Sequence, residues 1–157
     1  MSDHDPPGLS ACCESGSICV FSKALLARVT TCELAARRSI GEREIVECSW
    51  VVARTNCGTL AALMHERARF ALRLPSPWRP MIHAQALRLQ CGGLLGLQRA
   101  LGSENPDVHT MVGAAHERYG SLMQLPWDAI VRDIAGWQPH RRRGTAKPCS
   151  RRIGTPL

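Results

Sequence analysis

Six of the eight cysteines in this chain of 157 residues fall within its first 57 positions, and that crowding limits what the sequence can build. They are Cys12, Cys13, Cys19, Cys32, Cys48 and Cys57, with Cys91 and Cys149 further on. An even count suits a secreted disulfide framework. The opening MSDHDPPGLS, however, lacks the basic-then-apolar layout of a secretory leader, so a reducing, cytoplasmic setting is expected. In such a compartment a cysteine cluster points to metal or redox chemistry.

Cys19, Cys32, Cys48 and Cys57 are spaced Cys-x12-Cys-x15-Cys-x8-Cys. Structural zinc is usually gripped by knuckles of two cysteines two to four residues apart, because one tight turn then offers two thiolates to one ion. This chain has none. A cubane iron–sulfur cluster is larger, and its four irons each take a thiolate from a different direction, so dispersed ligands suit it better. The expected site is therefore a 4Fe-4S cluster on Cys19, Cys32, Cys48 and Cys57, with Cys13 as substitute ligand and zinc as the alternative metal. Cys57 is expected at the start of a helix, where the dipole favours a thiolate. Cys32 is expected late in a helix, Cys19 just before it, and Cys48 in a link. Cys91, among glycines, reads as a core thiol, and Cys149 as an exposed one.

The rest of the chain reads as helical. Ser22 is the expected N-cap of a helix over 23–38, stopped by Ser39-Ile40-Gly41. Residues 42–52 read either as a short helix or as an extended link. Further helices are expected over 58–74, 81–101, from Asn105-Pro106 to about Gln124, and over 127–137. Gly92, Gly93 and Gly96 weaken the third of these by about 1 kcal/mol each unless they allow a neighbouring helix to approach. No strand alternation with hairpin turns is evident. The expected fold is all-α, a bundle of four or five helices over 21–138. A loose cysteine-bearing leader over 1–20 precedes it, and a disordered basic tail over 139–157 follows. His65-Glu66-Arg67 with Leu74-Pro75 is echoed by His116-Glu117-Arg118 with Leu125-Pro126. This reads as two amphipathic helices that each end at proline rather than as a duplication.

Charge narrows the function. Of 20 Lys and Arg, six lie in the tail (Arg141, Arg142, Arg143, Lys147, Arg151, Arg152), which leaves 14 bases against 13 acids in the body. Nucleic acid is thus a less favoured partner than a redox protein. Seven aromatic rings, some needed for a core, leave few for base stacking. No apolar run reaches the roughly 20 residues of a membrane helix, so no insertion is expected. Catalytic motifs are absent. His65-Glu66 and His116-Glu117 are neighbours about 100° apart on a helix and cannot jointly ligate a metal, and they read as solvated positions. Gly92-Gly93-Leu94-Leu95-Gly96 lacks the Lys-Ser/Thr ending of a phosphate loop. The sequence points away from an enzyme. It points to a small iron–sulfur protein serving as electron-transfer or accessory subunit of a larger redox system. The alternatives are a zinc- or cluster-bearing regulator with a nucleic-acid-seeking tail, and a metal-free helical adaptor.

Overall fold

The computed structural model describes residues 18–139. Its elements are α1 (Ser22–Leu26), β1 (Ala35–Ile40), β2 (Arg43–Cys48), α2 (Val51–Ala68), α3 (His83–Leu101), α4 (Val108–Tyr119) and α5 (Trp127–Gly136), with a 3-10 turn at Leu122–Gln124. The fold is mixed α/β, not the expected all-α bundle: β1 and β2 pair antiparallel from Ala35↔Cys48 to Ile40↔Arg43. The cysteines Cys12, Cys13 and Cys149, and the basic residues of the tail, lie outside the described residues.

The expected helix over 23–38 fails after one turn and a half, for tertiary reasons. Ala35-Ala36-Arg37-Arg38 has good helix propensity, but the backbone before it is already committed elsewhere. Thr31 N–H donates to Pro106 O (3.1 Å), and Thr31 O accepts from Val108 N–H (2.8 Å). Glu33 N–H donates to the Asp107 carboxylate (2.6 Å). β-branched Val29, Thr30 and Thr31 favour the extended path this requires. The chain then reverses in the two residues Gly41-Glu42, with Gly41 at φ +62°, the left-handed conformation that tight hairpins need. The same glycine that suggests a helix stop in the sequence is a hairpin turn in the structure. Cross-strand pairs Arg37–Glu44 (2.8 Å) and Arg38–Glu47 (3.3 Å) lie on opposite faces of the hairpin, and Val46, opposite Arg37, enters the core.

Ser22 is the first helical residue of α1 rather than its cap. The side chain of Gln90 on α3 takes the capping role: its Oε1 accepts from Lys23 N–H (3.1 Å) and Ala24 N–H (3.2 Å), and its Nε2 donates to Val20 O (3.0 Å). This ties the segment carrying Cys19 to the helical body.

The core runs through Phe21, Leu60, Met64, Leu94, Leu97, Met111, Ile130 and Ile134, all fully buried. α3 and α5 form the closest helix pair. A Cβ on Gly92 would meet Ile134 Cα at 2.7 Å, and one on Gly96 would meet Ile130 Cα at 3.1 Å. The glycines spaced four apart are therefore the groove into which α5 packs. Arg88 seals the far end of this pair, donating to Ala135 O (2.6 Å) and Trp137 O (3.0 Å). The two proline-ended echoes share a buried leucine (Leu74, Leu125) but part at the following tryptophan: Trp78 is 91% exposed and Trp127 only 7%. Among the described residues, no helix is long and apolar enough to cross a membrane.

Candidate metal centre

Four different elements deliver the four cysteines. Cys19 precedes α1 and is pinned to β2 by its N–H donating to Val46 O (2.8 Å). Cys32 lies in the connection from α1 to β1, not late in a helix, and its carbonyl accepts from Ala35 N–H (3.1 Å). Cys48 ends β2, with its thiol donating to Trp50 O (3.3 Å). Cys57 sits nearly two turns inside α2, because the helix begins at Val51. The dipole benefit expected for it falls off within the first turn, so Cys57 does not receive it.

Burial is the main cause that pushes the Cys57 thiol up to about 12, and the charges of Cys19, Cys32 and Cys48 push in the same direction. Burial likewise raises Cys19 to about 11, with further contributions from Cys32 and Cys48. Cys32 is raised by burial first, then by Asp107 and by Cys48. Every pair among the four thiols is thus within electrostatic reach. Cys19 and Cys57 are buried, Cys32 and Cys48 half-buried, and all four are free thiols. Among the described residues, no three Cys, His, Asp or Glu side chains form a group that could hold a metal ion.

Backbone donors face two of the sulfurs. Phe21 N–H donates toward Cys19, and Leu34 and His109 N–H donate toward Cys32, each favouring the thiolate against the effect of burial. His109 is the second residue of α4. Val108 N–H of that helix is held by Thr31 O (2.8 Å) and Thr110 N–H by Asp107 Oδ1 (2.8 Å), while the His109 N–H between them favours the Cys32 thiolate. The helix N-terminus that serves a thiol here is α4, and the thiol is Cys32.

Asp107 is the residue that sequence reasoning missed. One carboxylate oxygen caps α4 and the other holds Glu33 N–H, so a single, largely buried side chain fixes both the helix end and the Cys32 turn. An aspartate directly before an apolar-periodic run is a capping signal in the sequence, but Asn105-Pro106 is the stronger one and obscures it. Asn105 instead accepts from Asp107 N–H (3.0 Å). Beside the thiols, Trp50 meets the His109 ring edge-on (5.6 Å between centroids), and Glu33 lies 3.9 Å from His109. His65, Glu66, His116 and Glu117 take no part.

No family model matches the chain, and neither the curated proteins nor the solved structures compared with it gave a match.

Proposed function

We propose that the chain binds one 4Fe-4S cluster through Cys19, Cys32, Cys48 and Cys57, and serves a larger redox system of a reducing, cytoplasmic compartment as an electron-transfer or accessory subunit. The observation that carries this reading is the mutual electrostatic reach of four thiols drawn from four separate elements. A fold that needed only small buried apolar groups had no reason to gather four thiols that raise one another's pKa.

The donor set fits a cluster. All four candidate ligands are sulfurs, as cubane irons prefer, and no two of them form the close knuckle that zinc uses. When bound, such a group accepts and releases single electrons. The protein's part is to hold the four thiolates apart at fixed positions and to aim N–H groups at Cys19 and Cys32, which draws charge from the sulfurs and raises the potential. Half-buried Cys32 and Cys48 keep one side of the site near the surface. There Trp50, Val51 and Val52 are exposed and offer an apolar landing for a redox partner.

Anaerobic purification with iron and sulfide analysis tests the proposal. The expected result is brown protein with broad absorption near roughly 400 nm and about four irons per chain. Colourless protein carrying one zinc replaces the cluster with a structural site, and metal-free protein removes both.

A further inference from the structure

We propose that the end of α2 and the proline-bounded loop after it form a docking site for an anionic phospholipid surface. This surface stands independently of the cluster. Phe70 is 89% exposed, Trp78 91% and Ile82 66%, in a chain with only seven aromatic rings. These side chains are bare because the backbone holds them out. Leu74 and Ala68 anchor the segment into the core, Leu74 N–H donates to Arg69 O (2.9 Å), and Arg79 N–H donates to Ser76 O (2.9 Å). Pro75, Pro77 and Pro80 fix φ across the loop, so little further order is lost on contact.

Charge says what covers this tip. Arg69 and Arg79 line one cleft, with Glu66 its single acid, and Arg73 and Arg79 line a second cleft beside Ile82. Among the described residues, none of these three guanidiniums makes an ion pair or a side-chain hydrogen bond, whereas Arg37, Arg38 and Arg99 each have a carboxylate. Three unpaired guanidiniums beside exposed Phe70, Trp78 and Ile82 complement a layer that is anionic at its surface and apolar beneath. Rings sit at the headgroup level, the aliphatic Ile82 goes deeper, and the arginines meet phosphates. A single-stranded nucleic acid would use the rings and cations but has no use for Ile82. Cys57 lies eleven residues before the end of α2, about 16 Å along its axis, so a docked protein keeps its thiol face open to a partner.

Co-sedimentation of the full chain with vesicles tests the surface. Equal parts phosphatidylglycerol and phosphatidylcholine should bind it, and phosphatidylcholine alone should not. Arg69→Gln with Arg79→Gln should weaken binding roughly fivefold for each charge removed. Phe70→Ser with Trp78→Ser should abolish what remains. All four positions are exposed, so iron content and circular dichroism should stay as in the parent. No vesicle binding overturns the proposal. So does equal binding to both vesicle types, or binding that survives both double variants, which would belong to Arg141–Arg152. Retention by oligo(dT) without retention by vesicles replaces lipid with nucleic acid.

Discussion

Between α3 and α5 the two backbones come so close that only glycine fits at Gly92, and Leu94, Leu97, Ile130 and Ile134 are fully buried around the crossing. Around Cys19, Cys32, Cys48 and Cys57 the chain is held otherwise. Gln90 ties down the start of α1, Asp107 ties down the Cys32 turn, and the hairpin leaves nearly all of β1 in solvent. The helical pair is held mainly by its own apolar surface, with Arg88 and Arg99 adding polar contacts at its edges. The thiol region brings together four groups whose burial costs free energy once they ionise, through single polar contacts that each contribute about 1 kcal/mol. The proposed cluster would complete such a region by binding the thiolates.

The largest expected effect separates the two regions outright. Serine at Cys19, Cys32, Cys48 or Cys57 should each drop iron from about four per chain toward zero, since four ligands act as a unit and metal binding is coupled to folding. Amide exchange should then accelerate over residues 18–57 while α3 and α5 keep their protection. Uniform loss of protection would show that the two regions fold as one and would end the comparison.

Gly92→Ala probes the other side. The added methyl meets backbone at Ile134, which cannot swing away, so overpacking should cost about 2–3 kcal/mol despite the better helix propensity. Gly93→Ala meets instead the flexible end of Met64 and should cost less. Urea unfolding measures both. The surviving folded Gly92→Ala protein should still carry its full iron, and iron loss would mean that the helical pair positions the thiols directly.

Asp107→Ala reaches both regions at once, through the α4 cap and the Cys32 turn. Its stability cost should be about 1–2 kcal/mol. Cluster loss under mild chelation should also quicken. Normal retention with lowered stability would reduce Asp107 to a helix cap alone.

These residues also show where sequence reasoning works and where it stops. The α3–α5 contact is legible because it is periodic: apolar residues at helical spacing and glycines four apart describe one face of one element. The burial of Cys91 follows from the same face. The grouping of Cys19, Cys32, Cys48 and Cys57 could be suspected from their number, but the elements that carry them could not be read. A string of good helix formers at Ala35–Arg38 becomes a strand because Thr31 and Glu33 bond to Pro106, Asp107 and Val108, some 75 positions away. Local propensity of a few tenths of a kcal/mol per residue cannot reveal a partner at that distance. The same blindness placed the helix dipole at Cys57, when the helix that serves a thiol is α4.

Cys91 gives a smaller effect with a definite sign. Burial raises its thiol to about 11, above the ordinary value of 9.0. The folded protein therefore keeps this proton where the unfolded chain has lost it. Stability from this group is intact below pH 9 and falls as pH rises through about 11. In the iron-loaded protein Cys91→Ala should flatten that alkaline limb. Cys91→Ser should cost about 1–3 kcal/mol for burying a hydroxyl, with iron unchanged.

The smallest effect concerns one motif that the two regions build differently. α3 ends with Gly102 at φ +60°, its N–H donating to Arg99 O (3.0 Å) and Ser103 N–H donating to Gln98 O (3.1 Å). α1 ends with the same pair of bonds, from Arg28 to Leu25 O (3.1 Å) and from Val29 to Ala24 O (3.2 Å), but here an arginine takes the left-handed position at φ +57°. A side chain at that φ costs about 1 kcal/mol that glycine avoids. Glycine gives back about 0.4–1 kcal/mol by loosening the unfolded chain. Arg28→Gly should therefore be neutral or stabilising by up to about 0.5 kcal/mol in urea unfolding, the difference between those two terms. Gly102→Arg, in the helical body, should destabilise by a similar amount. A loss above about 1 kcal/mol at Arg28 would exceed the entropic term and assign the guanidinium a contact that holds the α1 turn beside Cys32.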